Sequence, residues 1–237
     1  MSPAAKPVIW ARLSAQGRAR ARSLDYEAIT RAAIAIADQD GLDAVSMRKI
    51  AGKVDSGTMS LYRHISGKDD LTMLMYDSVL GEVVQELGRT PGSGWREELS
   101  RLARATRGLH HRHPWAGALG SRPALGPNEL QVMEFAMAAA DGPGLTMDQV
   151  MDRVSTVVQF TQGFVLAEIA EDEARRRTGL DESAWRERIA PYLSEVLATG
   201  RYPYMERIIR EAKDFPDQDV QFERRLAMVL DGLAGER

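Results

Sequence analysis

The 237-residue chain contains no cysteine, which excludes a disulfide framework and a thiolate metal site alike. It has no apolar run approaching the roughly 20 residues that cross a bilayer, and its first 24 residues mix Ala with Arg where an export signal would be apolar. A cytoplasmic protein without a membrane partner is expected. Aromatic residues make up only 6% of the chain, and stretches of period-two alternation bounded by turns, the mark of strands, are missing. Also missing are a nucleophile motif, a glycine-rich phosphate loop and an HExxH pair. The many Asp and Glu stand at pairing distance from Arg along helices instead, so no catalytic residue is assigned.

What is present is helical periodicity nearly everywhere, and the expected fold class is all-α. The overall charge of −3 conceals an asymmetry, because residues 1–68 hold 11 Lys and Arg against 6 Asp and Glu, whereas the rest holds 20 against 28. A basic head on an acidic body predicts that the head meets a polyanion. Lys6, Arg12, Arg18, Arg20 and Arg22 occur with no acid before Asp25. Residues 1–23 therefore read as a basic arm that follows phosphates, the plainer alternative being a solubilising tail.

Three segments are expected: the arm at 1–23, a head with a linker helix at 24–88, and a larger body at 89–237. Helices are predicted at about 25–40, from Ser66 to Gly88 with Ser66 and Asp69 as a capping box, from Trp95 to before Pro114, and at 128–140. Thr146 and Gln149 form a second capping box, opening a long helix to about Arg177. Further helices are predicted at 181–199, 201–213 and 217–234. In the long helix Val154, Val157, Val158, Phe160, Phe164, Val165, Leu166 and Ile169 leave little polar face, which calls for a second buried side. The last helix carries Phe222, Leu226, Val229, Leu230 and Leu233 as a stripe. A homodimer through the helices near 146–177 and 217–234 is the expected assembly.

The stretch "SMRKIAGKVDSGTMSLYRHISGKDDL", Ser46 to Leu71, breaks into two short helices. Ser46 caps the first, and Met47, Ile50, Ala51 and Val54 point to a small core. Asp55-Ser56-Gly57 supplies a turn and a cap for a second helix of about Thr58 to His64, with Leu61 and Ile65 inward. Thr58, Met59, Ser60, Tyr62, Arg63 and His64 cannot all reach that core, so most of them face outward. Two turns are enough for a recognition helix to enter a major groove while the preceding helix crosses the backbone. Lys68, in the first turn of the next helix, suits a phosphate.

These residues, above all "LYRH" followed four positions later by lysine, resemble the DNA-binding domain of the TetR family of bacterial transcriptional repressors. "LGSRPALGP" at 119–127, with the apolar helices after it, is similar to the ligand-binding and dimerisation body of the tetracycline-repressor branch. The resemblance implies that Arg48 contacts a base or phosphate, that Thr58 and Met59 face bases, and that Tyr62, His64 and Lys68 meet the DNA backbone. Ser46 and Ser60 of the same stretch are further DNA-contact candidates. It further implies a helical pocket whose occupant changes the spacing of two heads.

Candidates for that pocket are Leu102, Thr106, His110, Met133, Met137, Phe160 and Phe164, although ordinary core packing is the commoner role of any single one. The tetracycline repressors hold a magnesium-bound drug through a histidine two residues before the Gly-Thr/Ser-Arg-Pro segment, and here Ala118 stands there. The nearby His110, His111 and His113 diverge by about 100° per residue on a helix, so neither a metal nor a cofactor is expected. The function read from the sequence is a repressor released from operator DNA by a small apolar or amphipathic effector. A DNA-binding regulator without a small-molecule ligand stays open as an alternative, and a helical enzyme is the rival class.

Overall fold

The computed structural model describes residues 8–15, 24–92, 94–119, 123–212 and 217–234. Among them every regular element is helical: α1 Ile9–Ala15, α2 Leu24–Asp40, α3 Met47–Lys53, α4 Thr58–Leu61, α5 Lys68–Leu87, α6 Trp95–Arg112, α7 Pro127–Ala140, α8 Met147–Thr178, α9 Glu182–Leu197, α10 Pro203–Glu211 and α11 Gln218–Ala234. Short 3-10 turns occupy Leu42–Ala44 and Pro114–Ala118. Two compact units divide within α8, at Gln162 and Gly163.

In the first unit α2 is stopped by Gly41, whose φ of 84° favours glycine. The Ser46 hydroxyl accepts from the Lys49 N–H and starts α3, as its sequence position predicts. Ile50 and Ala51 are buried, with Met47 and Val54 only partly so. After α3, Asp55 takes the left-handed region at φ 50°, which a short polar side chain tolerates, and the Ser56 N–H returns to the Ala51 carbonyl. Gly57 then stands at the start of α4, so the side chain expected to cap that helix is absent. Ile29, Ala33, Ile36, Ile50, Leu61 and Ile65 close a small apolar core around α2, α3 and α4.

The linker helix α5 joins this head to the body. Its first half buries Leu71, Leu74 and Met75, and its second half buries Val79, Leu80, Val83 and Leu87 against α6 and α7. The expected Ser66–Asp69 capping box does not form. Gly67 precedes the helix, and the Asp70 carboxylate, one residue further on, accepts from the Ser66 N–H at 2.8 Å. At the other end Arg101 donates to the Leu87 carbonyl at 3.2 Å while pairing with Glu98 at 2.6 Å, which satisfies an orphan carbonyl where Gly88 ends the helix.

The predicted box at Thr146 and Gln149 does form, with Thr146 N–H to Gln149 Oε1 at 2.9 Å and the reciprocal bond at 3.3 Å. Val150, Val154 and Val157 bury one side of α8. Of the expected arm, residues 1–7 and 16–23 lie outside the described residues, Lys6, Arg18, Arg20 and Arg22 among them. The part between is α1, and Ile9 within it is 1% exposed.

In the second unit Phe222, Leu226, Leu230 and Leu233 of α11 are buried, and Phe164 meets Phe222 edge-on at 5.2 Å with the Arg225 guanidinium 5.5 Å above it. The α11 stripe is therefore an interior face of the protomer and is not free to meet a second copy. No helix among the described residues is long and apolar enough to cross a membrane.

Candidate nucleic-acid interface

The reading segment is regular helix only from Thr58 to Leu61, shorter than the sequence predicts. Tyr62 to His64 continue as a tighter turn, with Arg63 N–H to Ser60 O at 3.2 Å and His64 N–H to Leu61 O at 3.0 Å. Leu61 and Ile65 are buried and pin the segment to the head. Its outer side is open: Met59 is 77% exposed, Tyr62 is 50% exposed, and Thr58 and Ser60 are half-buried.

Arg48 and Lys68 stand exposed on α3 and α5, and Ser46 is exposed at the α3 cap. Lys49 beside Arg48 is tied to Asp40 at 3.2 Å. His64 faces both ways, because its ring lies edge-on to Tyr26 at 5.3 Å and its carbonyl accepts from the Tyr26 hydroxyl at 3.1 Å. It is a support of the reading segment as well as a candidate contact. Ser46, Arg48, Thr58, Met59, Ser60, Tyr62, His64 and Lys68 thus belong to one small head, while the supporting residues come from α2.

Polar joints hold this head to the body. The buried Asp77 carboxylate of α5 accepts from the backbone N–H groups of Asn128 and Glu129 at 2.9 and 3.0 Å, so it caps α7 from another helix. Burial pushes its carboxyl up, against the pull of those hydrogen bonds. His113, after α6, reaches Asp38 of α2 with Nδ1 and Glu82 of α5 with Nε2, and Trp115 donates to the same Asp38 oxygen at 2.7 Å. Arg112 adds a bond to Glu82 at 2.7 Å.

Of the pocket candidates, Leu102, Thr106 and His110 recur at i, i+4 and i+8 along α6, and Met133 and Met137 at i and i+4 along α7, which packs against α6. Leu102 is buried, Thr106, Met137 and Phe160 are half-buried, and Met133 is exposed. His110 is 3% exposed, and its Nδ1 has no hydrogen-bond partner among the described residues. Burial, helped by the charges of His111 and His113, holds it below the usual histidine range, and therefore neutral. Phe164 is packed on Phe222 in the second unit. Two crevices, of about 440 and 610 Å³, are lined by other residues.

Residues 29–72 match the family of bacterial regulatory proteins named for tetR, and residues 87–236 match the tetracyclin repressor-like C-terminal domain. The chain belongs to the TetR family. It is 38% identical over 215 residues to the transcriptional repressor DrrR1 of Streptomyces coeruleorubidus, covering 89% of this chain and 77% of that one. A transcriptional regulator of Saccharopolyspora erythraea is 33% identical over 237 residues, covering 98% and 94%. Among solved structures, apo ActR from Streptomyces coelicolor superposes with a TM-score of 0.73 at 26% identity, covering 89% of this chain and 94% of ActR. ActR in complex with actinorhodin superposes with a TM-score of 0.72 at 28% identity, covering 90% and 100%. The relatives of this TetR-family protein are transcriptional regulators, and the chain is a DNA-binding regulator and not an enzyme.

The joints of this TetR-family chain are not among the features expected from its sequence. Asp77 is a lone acid among apolar positions of α5, and that was a readable signal. Nothing in the order of residues announced that His113 would meet Asp38, 75 positions away.

Proposed function

We propose that the protein is a dimeric repressor that reads its operator with Arg48, Thr58, Met59 and Tyr62, anchors on phosphate through Lys68, and releases DNA when a small amphipathic molecule occupies its body. The observation that carries this reading is the outward presentation of Met59 and Tyr62 on a segment fixed from beneath by Leu61, Ile65 and Tyr26. A site that must read bases needs exposed side chains on a support that does not yield.

The effector cavity is proposed at the facing sides of α6 and α7, with Leu102, Thr106, Met137 and Phe160 as walls and Met133 at the rim. His110 supplies the polar contact. A buried imidazole nitrogen without a partner is costly, and a ligand donor or acceptor would relieve it. Movement of α6 would reach the head through Arg112, His113 and Glu82, and movement of α7 through Asp77.

The dimer seam is proposed on the outer sides of α8 and α11. On α8 the exposed positions Gly163, Leu166, Ala167 and Ala170 form one stripe, with Leu166 53% exposed. On α11 Met228, 67% exposed, lies opposite the buried stripe. Small residues let two helices approach closely, with Leu and Met as knobs. The protein would work in the cytoplasm, where operator DNA is.

A mobility-shift assay on the DNA around the protein's own gene tests this reading, with actinorhodin as the first effector probe. Shift without probe and release with it are expected from the repressor; a shift that no probe in a small-molecule stabilisation screen alters favours the regulator without an effector. Absence of any shift at low salt would remove the DNA-binding reading of this segment.

A further inference from the structure

The short helix α1 lies where a free arm was expected, and its side chains bridge two regions. The Trp10 indole donates to the carbonyl of Ala124, in the body segment that leads into α7, at 2.9 Å. Two residues on, the Arg12 guanidinium donates to the Ser66 hydroxyl and pairs with the Asp70 carboxylate, in the first turn of α5 directly after the reading segment. Ile9, beside them on α1, is buried. The fit beside Trp10 is close: a Cβ on Gly126 would stand 2.7 Å from the Trp10 ring and 2.2 Å from Asp77 Oδ1. Thus α1, α5 and the start of α7 meet at one point.

Two roles for Arg12 make different demands. A cation that follows phosphates has a hydrated, exposed guanidinium. Here the side chain is 25% exposed, its charge is matched by Asp70, and its Nε is buried with no partner among the described residues. Asp70 in turn holds the Ser66 N–H, and so sets where α5 begins and where Lys68 projects. Although burial works against it, the Arg12 and Ser66 hydrogen bonds hold the Asp70 carboxyl below the usual carboxylate range, so that carboxyl is ionised at neutral pH.

We propose that α1 is a strap between body and reading head, and that Arg12 is a positioning residue for DNA recognition that acts through Asp70 and Ser66 rather than through a phosphate. Trp10 anchors the strap on the body. The strap fixes the start of the linker helix, and with it the angle at which the reading segment and Lys68 are offered to DNA. This rests on the reading of the protein as a DNA-binding regulator.

The test uses the full-length protein, DNA from around its own gene, and salt between about 50 and 300 mM. Arg12→Gln, Arg12→Lys, Asp70→Asn and the Arg12→Gln/Asp70→Asn double variant are compared by mobility shift. If α1 is a strap, Arg12→Gln and Asp70→Asn each weaken binding about tenfold, the size expected for losing one hydrogen-bonded charge pair, and Arg12→Lys, which keeps the charge but cannot bridge Ser66 and Asp70 at once, weakens it by a smaller factor. The double variant is no weaker than either single one, and the slope of affinity against salt is unchanged. Trp10→Phe, which keeps the ring and loses the N–H, weakens binding in the same direction. If Arg12 instead serves a phosphate, Arg12→Lys binds normally, Arg12→Gln flattens the salt slope by about one unit, and Asp70→Asn binds more tightly because an acid has left the DNA face. That pattern overturns the proposal. Hydrogen exchange without DNA gives a second readout: in Arg12→Gln the first turn of α5 and residues 123–126 should open together, and protection equal to the unmodified protein counts against the strap. Failure of the unmodified protein to shift DNA would be a failure of the regulator reading itself.

Discussion

Nδ1 of His113 lies 2.7 Å from Oδ1 of Asp38, joining the turn after α6 to the last turn of α2. On the other side of the same ring, Nε2 lies 3.0 Å from Glu82 Oε1 of the linker helix. His113→Ala should cost about 2 kcal/mol, because it removes two hydrogen bonds at once. A double-mutant cycle with Asp38→Ala, read from urea unfolding, should give a coupling of more than about 0.5 kcal/mol. Simple additivity would mean that the contact carries no energy.

Glu82 gives the acid side of this joint. Burial works to raise its carboxyl, but the bonds from His113 and Arg112 outweigh it and hold it below its ordinary 4.5. The ionised form is therefore favoured in the folded state, and the stabilisation is present above pH 4.5 and lost as pH falls through the lower folded value. Glu82→Gln should flatten the loss of stability below pH 4.5, measured by thermal unfolding across an acid series.

His110 acts in the next window up. Its folded value lies below the ordinary 6.5, mainly through burial, so the neutral form is favoured on folding. That contribution is present above pH 6.5 and is lost as pH drops below it, when the unfolded chain binds the proton. His110→Phe should remove part of the decline between pH 7.5 and 5.5 in urea midpoints. An unchanged slope would place the orphan nitrogen in contact with water.

Gly126 tests how tightly the head is seated. Its φ of −71° suits any residue, so only the space matters. A Cβ would meet Asp77 Oδ1 at 2.2 Å and Trp10 Cζ2 at 2.7 Å, and Gly126→Ala should cost about 3 kcal/mol by overpacking. Adding Asp77→Ala should cost less than the two separate losses suggest.

For the assembly, Leu166→Asp on the outer side of α8 should give a folded monomer that no longer shifts operator DNA, checked by sedimentation. Leu233→Asp should behave differently, since Leu233 is interior: it should lower stability by several kcal/mol, on the order of a buried unpaired charge. A sedimenting dimer of Leu166→Asp would move the seam elsewhere.

The sequence by itself determined what depends on near neighbours in the chain. Helical periodicity, the Ser46 and Thr146 caps and the exposed run through Met59 and Tyr62 all express interactions within four residues or so, which the order of side chains specifies directly. What only the tertiary structure decided is which face meets which, and which charge meets which. The apolar stripe of α11 looks the same whether it faces its own protomer or a second copy, because amphipathicity shows that a face is buried but not by what. Arg12 looks like an arm residue until Asp70, 58 positions away, is placed beside it. His113, Asp38 and Glu82 likewise become a joint only when the packing of α2, α5 and α6 brings them within hydrogen-bond distance, since a charge has no sequence period and its partner is chosen by the fold.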